Sequence, residues 1–168
     1  MRLNIVPRSG NNIKGVAMKV EIDDLKKIRF FDKYTDEQLG KIVLISSVKD
    51  FRVKEMIFDQ YDELSEVYIL LNGSLSLGIS LPQEKRIHLG TIEEGQLFSW
   101  SAVFYPYIST AWVMAVTPAR VIAIDARKLN EEIEKDCDFG FKTMSKIAHT
   151  ISQRLSDTRF QLMNQLSL

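Results

Sequence analysis

Hydrophobic positions along the chain change period twice. From Glu21 to about Ser47 they follow a helical spacing: Leu25, Ile28 and Phe31 recur every three residues. Thr35-x-x-Gln38 forms a capping-box pattern ahead of Leu39, Ile42, Val43 and Ile45. The pattern predicts two short helices joined around Phe30–Tyr34.

From Val48 to about Asp125 the period shortens towards two. Val67-Tyr68-Ile69-Leu70-Leu71 is rich in strand formers and runs into Asn72-Gly73, a strong short hairpin signal. Residues 74–80 then alternate, placing Leu75, Leu77 and Ile79 on one face. Pro82 and Gln83 mark a turn, Arg86–Ile92 reads as the next strand, and Gly95 breaks again. Thr110–Val116 and Arg120–Asp125 are expected to pair around Pro118. Short, regularly spaced strands of this kind predict an antiparallel barrel or jelly roll.

Helix returns at Ala126. Arg127–Lys135 is a short charged segment, and Asp136-Cys137-Asp138 offers an N-cap for a longer helix. Within it Phe141, Met144, Ala148, Ile151, Leu155, Thr158 and Leu162 alternate spacings of three and four. This stripe could pack on the chain's own barrel or form a two-chain seam. A helix of about 25 residues spans roughly 38 Å, longer than a small barrel covers, so a homodimer seam through Phe141, Met144, Ala148, Ile151, Leu155 and Leu162 is the expectation. The fold class is therefore α+β and mainly β, an antiparallel β-roll flanked by short N-terminal helices and a long C-terminal helix. Residues 1–20 form a tail, 21–136 the β-roll domain and 137–168 the dimerisation helix.

At 168 residues the chain is one ordinary domain. Twenty-two basic side chains balance twenty-two acidic ones, which removes any general attraction to nucleic acid or anionic lipid. The first twenty residues hold Arg2, Arg8, Lys14 and Lys19 and no acid, a dispersed set beside Gly10, Asn11, Asn12 and Gly15 that suits a tail better than a binding arm. No apolar run approaches the length that spans a bilayer, and no apolar centre of a secretory signal precedes Val20. One cysteine, Cys137, has no partner for a disulfide or metal knuckle, so a cytoplasmic protein is expected. Only His88 and His149 could supply imidazole, and the chain has no His-x-His, His-Glu-x-x-His, Gly-x-Ser-x-Gly or Gly-Lys-Ser/Thr phosphate loop. Catalysis and metal chemistry lack their raw material, and a jelly-roll enzyme of the cupin kind lacks its ligands.

Several fragments occur in a telling order: Ile57-Phe58, Tyr68-Ile69-Leu70-x-x-Gly73-x-Leu75, Gly95-x-x-Phe98, Thr110-Ala111-Trp112-Val113 and Arg154-Leu155-x-x-Thr158. From about Leu25 to Leu162 the chain resembles a cyclic nucleotide-binding domain of the catabolite activator type. The resemblance implies a site for cAMP or cGMP in a cassette between two later strands. That cassette reads Phe-Gly-Glu-Leu-Ala, with Arg-Ser/Ala-Ala about ten positions later. An arginine fork and backbone N–H groups hold the cyclic phosphate, and the glutamate accepts from the ribose hydroxyl.

Laid over this chain, the cassette is Phe98-Ser99-Trp100-Ser101-Ala102 and the return strand Ser109-Thr110-Ala111-Trp112. Ser99 stands for the glycine, Trp100 for the glutamate and Ser109 for the phosphate arginine. The alternative register puts Ser99 at the acid position, again without a carboxylate. No arginine falls between Gln96 and Arg120, and Lys54 and Tyr61 replace two further turn glycines of the family. Each hydrogen bond to a charged group contributes about 1.5–3 kcal/mol, so losing the fork and the acid weakens binding by roughly three to four orders of magnitude.

The ligand-binding set expected here is Phe98, Ser99, Trp100, Ser101, Ala102, Ser109, Thr110 and Ala111. The resemblance adds Arg154 and Thr158, the latter as a purine contact. Six of the sixteen aromatic residues fall between Phe98 and Trp112: Phe98, Trp100, Phe104, Tyr105, Tyr107 and Trp112. They could form a box for an apolar or aromatic effector, with the serines and Thr110 as polar pins, or simply fill the vacated pocket. No cofactor is required; the ligand would be a cyclic nucleotide or such an effector. In the activator family the long helix leads into a DNA-binding helix-turn-helix. Here it runs to Leu168, so a DNA-binding regulator is not expected. The expectation is a non-enzymatic, stand-alone sensor or regulatory module that does not bind cAMP or cGMP in the usual way and acts on an unidentified protein partner. A genuine cyclic nucleotide-binding protein with an atypical cassette and a ligand-free interaction scaffold are the alternatives.

Overall fold

The computed structural model describes residues 19–82 and 85–166, the side chains of Leu162, Gln165 and Leu166 excepted. The expected tail lies outside them apart from Lys19 and Val20, as does Gln83 of the expected turn. Val20 is only 3% exposed and joins the core, which therefore starts one residue inside the expected tail.

The N-terminal helical layer comprises α1 (Ile22–Lys26), a 3-10 turn (Arg29–Phe31) and α2 (Asp36–Leu44). The capping box forms as expected: Thr35 Oγ1 accepts from Gln38 N at 3.2 Å, and Gln38 Oε1 accepts from Thr35 N at 3.1 Å. Ile45 is the C-cap of α2, not part of its last turn, and the chain enters the first strand at once.

Eight strands follow: β1 (Ser46–Phe51), β2 (Met56–Phe58), β3 (Glu66–Asn72), β4 (Leu75–Ser80), β5 (Arg86–Ile92), β6 (Leu97–Phe98), β7 (Trp112–Ala115) and β8 (Ala119–Asp125). They form two antiparallel four-stranded sheets ordered β1-β8-β3-β6 and β2-β7-β4-β5. The β-roll is as expected, but two of the expected pairings are not. β3 and β4 lie in different sheets, so Asn72-Gly73 is a crossover between layers and not a hairpin turn. A Cβ on Gly73 would lie 2.4 Å from Pro118 O, and φ there is +99°, so the corner needs glycine for close approach. β7 and β8 likewise separate across the turn at Pro118. Both corrections have one cause: alternation fixes which face is buried, whereas the partner of a jelly-roll strand is remote in sequence.

Val67, Ile69 and Leu70 on β3 and Val121 and Ile122 on β8 are fully buried, successive ones on opposite faces of their sheet. On the second sheet Trp112 lies opposite Gly78, where a Cβ would sit 2.1 Å from the indole, and Arg86 stacks 5.7 Å over that ring. Lys54 and Tyr61, the residues standing for family glycines, sit at φ 65° and 73°, in the left-handed region that glycine favours.

Helix α3 (Ala126–Lys135) is capped by Asp125, whose carboxylate accepts from Lys128 N at 3.0 Å. The long helix α4 (Cys137–Leu166) starts at the expected N-cap, with Asp136 Oδ1 accepting from Phe139 N at 3.0 Å. That bond, and then Lys41, hold the Asp136 carboxyl below the usual carboxylate range. Phe139 and Ile147 are fully buried, and Phe139 meets Tyr34 edge-on at 5.7 Å. Thr143 donates its hydroxyl to Phe139 O at 2.8 Å, so Tyr34 donates to Thr143 Oγ1 at 2.9 Å. Gln38 and Lys142 tie α2 to α4 at the surface of this contact.

Burial pushes the Tyr34 phenol up to about 12 from its ordinary value of 10.0. Its neutral form favours folding fully below pH 10, and that contribution, about 2–3 kcal/mol, is lost as pH rises to 12. Urea denaturation between pH 9 and 11.5 should therefore show a steep alkaline loss, and Tyr34→Phe should flatten it. A second prediction concerns Lys54. A left-handed residue costs roughly 1–2 kcal/mol, partly offset in glycine by greater freedom when unfolded. Lys54→Gly should stabilise the fold by about 0.5–1 kcal/mol, raising Tm by about 1–4 °C in calorimetry.

Candidate functional site

The cassette is the chain between β6 and β7. β6 is only two residues long and pairs Phe98 with Tyr68 and Leu97 with Ile69 on β3. Phe98 stacks into Tyr68 and Phe58, which makes it a core residue as well as a pocket wall. The chain then turns sharply at Ser99, where φ is 59° and ψ is 30°. This left-handed corner is where the resemblance places a glycine.

Serine holds the corner through its hydroxyl. Ser99 Oγ accepts from Tyr68 N at 3.1 Å and lies 2.9 Å from Glu66 O and 2.6 Å from Phe98 O, to which it donates. Tyr68 in turn donates to Glu66, which also pairs with Lys49; burial first, and then Glu66, push the Tyr68 phenol upward. A 3-10 turn, Trp100–Val103, follows. Ala102 is 3% exposed and faces the core, while Trp100 is half-buried against it.

The return segment does not begin as a strand. β7 starts at Trp112, two residues later than expected, because Ser109 Oγ accepts from Ala111 N at 3.2 Å and donates to Ala111 O at 2.5 Å. This local loop binds the backbone edge that a ladder would use. Ser109 is 3% exposed and its hydroxyl is engaged, whereas Thr110 is exposed.

The space beside the cassette, partly open to solvent, has a volume of about 30 Å³, enough for one or two waters. Eight of the ten expected residues line it: Phe98, Ser99, Trp100, Ser101, Ser109, Thr110, Ala111 and, from α4, Arg154. Ala102 and Thr158 do not. The Thr158 hydroxyl donates back to Arg154 O at 2.9 Å along its own helix. Apolar walls that motif reasoning missed come from Phe58, Leu64, Leu77, Ile92 and Val113. Of these, Leu77 carried a signal, since strand alternation placed it on one face with Leu75 and Ile79.

The aromatic residues do not form one box. Phe98 and Trp100 line the cavity, but Trp112 lies on the outer face of its sheet, and its buried indole N–H has no hydrogen-bond partner among the described residues. Tyr105 is 87% exposed, and Phe104 and Tyr107 also reach solvent. Alternation along β7 sends Trp112 outward when Ala111 and Val113 point inward.

The electrostatics of the site come from α4. Arg154 is half-buried, burial lowers its pKa, and its guanidinium makes no hydrogen bond or ion pair with any described residue. Of the expected seam, Phe141 (75%) and Leu155 (49%) are exposed, as is Ala148, whereas Met144 and Ile151 pack against the chain's own core. Leu162 lies in α4, with its side chain outside the described set. The apolar stripe is thus divided between the barrel and solvent. Among the described residues no cluster of His, Cys, Asp and Glu could hold a metal ion, and no helix is long and apolar enough to cross a membrane.

Comparison with known proteins follows this geometry. No curated protein sequence matches the chain significantly. A solved structure from Geobacter metallireducens GS-15, described as a cyclic nucleotide-binding protein, is 29% identical with a TM-score of 0.71, over 81% of this chain and 98% of that one. The sensor domain of the transcriptional regulator DNR from Pseudomonas aeruginosa is 16% identical with a TM-score of 0.66, over 80% and 90%. The regulatory subunit of a cAMP-independent protein kinase A from Trypanosoma brucei is 15% identical with a TM-score of 0.70, over 86% of this chain and 50% of that one. The family model for the cyclic nucleotide-binding domain matches residues 48–136, which span β2 to β8, the whole cassette and α3, and the chain belongs to that family.

Proposed function

We propose that this chain is a non-enzymatic regulatory sensor whose cassette does not take cAMP or cGMP in the usual way. It is a cyclic nucleotide-binding-like regulatory domain; the finer reading rests on one observation. At position 109, where the family's phosphate arginine is expected, a buried serine closes its hydroxyl on Ala111, beside a cavity of about 30 Å³. A cyclic nucleotide needs roughly ten times that space, on the scale of ligand pockets. Neither a carboxylate for the ribose nor a cation for the phosphate comes from the cassette itself. The same β-roll serves a kinase subunit described as cAMP-independent in Trypanosoma brucei, so the fold does not demand that ligand.

The output element of such a sensor is α4. Its inner face carries Phe139, Ile147 and Arg154 against the roll, and its outer face presents Phe141, Ala148, Leu155 and Phe160. An apolar outer stripe on a helix that outruns its barrel suits a homodimer seam, through which a change at the roll reaches a protein partner in the cytoplasm. Nucleic acid and membrane are not among the expected partners, given the balanced charge.

Titration calorimetry with cAMP and with cGMP should show no binding tighter than millimolar; micromolar affinity for either nucleotide would reject the reading. The seam is tested by sedimentation at tens of micromolar. The wild type should be dimeric, and the double variant Phe141→Glu, Leu155→Glu should be a folded monomer. Both positions are exposed, so the charges leave the core intact. A monomeric wild type removes the seam.

A further inference from the structure

Beside the cassette a second and much larger space runs along α4. This groove, of about 580 Å³, is walled by α4 on one side and by the β5–β6 turn with Arg29 and Phe30 on the other. Lys146, His149 and Arg154 enter it from α4, and Arg29 faces them. Two carboxylates also border it. Glu94 is engaged, accepting from Asn72 Nδ2 and Gly73 N at 3.1 Å each, and Asp157 forms no ion pair with a described residue. The groove is thus lined by three cationic side chains, Arg29, Lys146 and Arg154, against two carboxylates.

Arg154 is the residue that gives this lining a direction, because it borders both the groove and the cassette cavity. Arg86 and Arg120, with 46% and 41% of their side chains exposed, are each paired with an aspartate, at 2.9 and 2.7 Å. Arg154 is half-buried and has no such partner among the described residues. Its Nη1 lies over Gly90 on β5, where an added Cβ would stand 3.6 Å away in ordinary contact. Burial lowers the Arg154 pKa, and the nearby Asp157 carboxylate, one turn along α4 and outside ion-pair distance, offsets this only in part. An arriving oxyanion reverses that deficit, since the planar fork matches two oxygens of a phosphate or carboxylate.

We propose that the groove between α4 and the β5–β6 turn binds a small organic oxyanion, a phosphate ester or a polycarboxylate, with its charged group on Arg154. Lys146 extends the positive wall by two turns along the helix, and Arg29, whose carbonyl accepts from Lys146 Nζ at 2.9 Å, closes the opposite side. The body of the ligand lies in the groove, outside the cassette. The site does not depend on whether the cassette takes a cyclic nucleotide. Because Arg154 is carried by α4, occupancy pulls on the same helix that forms the proposed seam.

Thermal unfolding with inorganic pyrophosphate and with citrate, at ionic strength matched with sodium chloride, tests the site. A saturable rise in Tm of about 3–6 °C at ten times the dissociation constant is expected for at least one of them. The tighter of the two assigns the head group. Arg154→Met should abolish that rise, and it should raise the Tm of the ligand-free protein by removing an unpaired charge. Arg154→Lys, which keeps the charge but loses the fork, should weaken binding at least tenfold, and it serves equally if the methionine variant fails to fold. The Arg154 Nε–Hε resonance of the wild type should shift on titration. No saturable response to either probe, or a rise unchanged in the Arg154 variants, overturns the proposal.

Discussion

A buried hydroxyl cannot be left without a partner, and this requirement organises the cassette. In the turn between β6 and β7 the partners come from the chain itself. Ser99 finds them at the left-handed corner by bridging β6 to Tyr68 and Glu66 on β3. Ser109 does so on the return segment by closing on Ala111. Both serines stand where the family pattern has a residue for the ligand. The substitutions therefore leave the loop geometry in place while converting its polar groups from outward to inward work. Trp100, packed on the core, takes up part of the volume that remains.

The long helix is held by a different kind of contact. Its first three turns are fastened by Phe139, Thr143 and Ile147 against Tyr34 and the N-terminal layer, with Asp136 and Asp138 tied to Lys41 and Gln38. Beyond Ile151 the enclosed contacts thin out, and half-buried Arg154 and Thr158 alternate with exposed Leu155 and Phe160. A helix so fastened at one end can respond at the other, because the distal turns have few buried contacts to lose.

Much of this was legible in the residues. The Thr35–Gln38 box, the Asp136 cap and the change of period at about Val48 and Ala126 are local signals, and local signals survive folding because they depend on neighbours in sequence. Lys54, Tyr61 and Ser99 were identifiable as occupants of glycine positions, and all three adopt positive φ. Strand partners were not legible. Asn72-Gly73 looks the same whether the chain folds back or crosses to the other layer, and only the contact with Pro118 decides it. The direction of hydroxyls and indoles was equally hidden: Ser99 and Ser109 as letters suit a ligand as well as a backbone. The six aromatic residues near the cassette are close in sequence, but strand alternation and the loop around Tyr105 disperse them over three surfaces.

The absence of a carboxylate at position 99 or 100 has a consequence on the far side of the pocket. Arg154 reaches the cavity from α4, and an acid on the cassette would have stood on the wall facing it. With serine and tryptophan there, the cassette offers the guanidinium hydroxyls and an aromatic edge, neither of which neutralises charge. Retaining a half-buried arginine under those conditions lowers stability, since an apolar side chain of similar volume would pack there without the desolvation penalty. Serine and tryptophan fill a cavity at no electrostatic cost, whereas a half-buried arginine with only Asp157 to offset its burial carries one, and the proposed oxyanion site is the use for a charge kept at that cost.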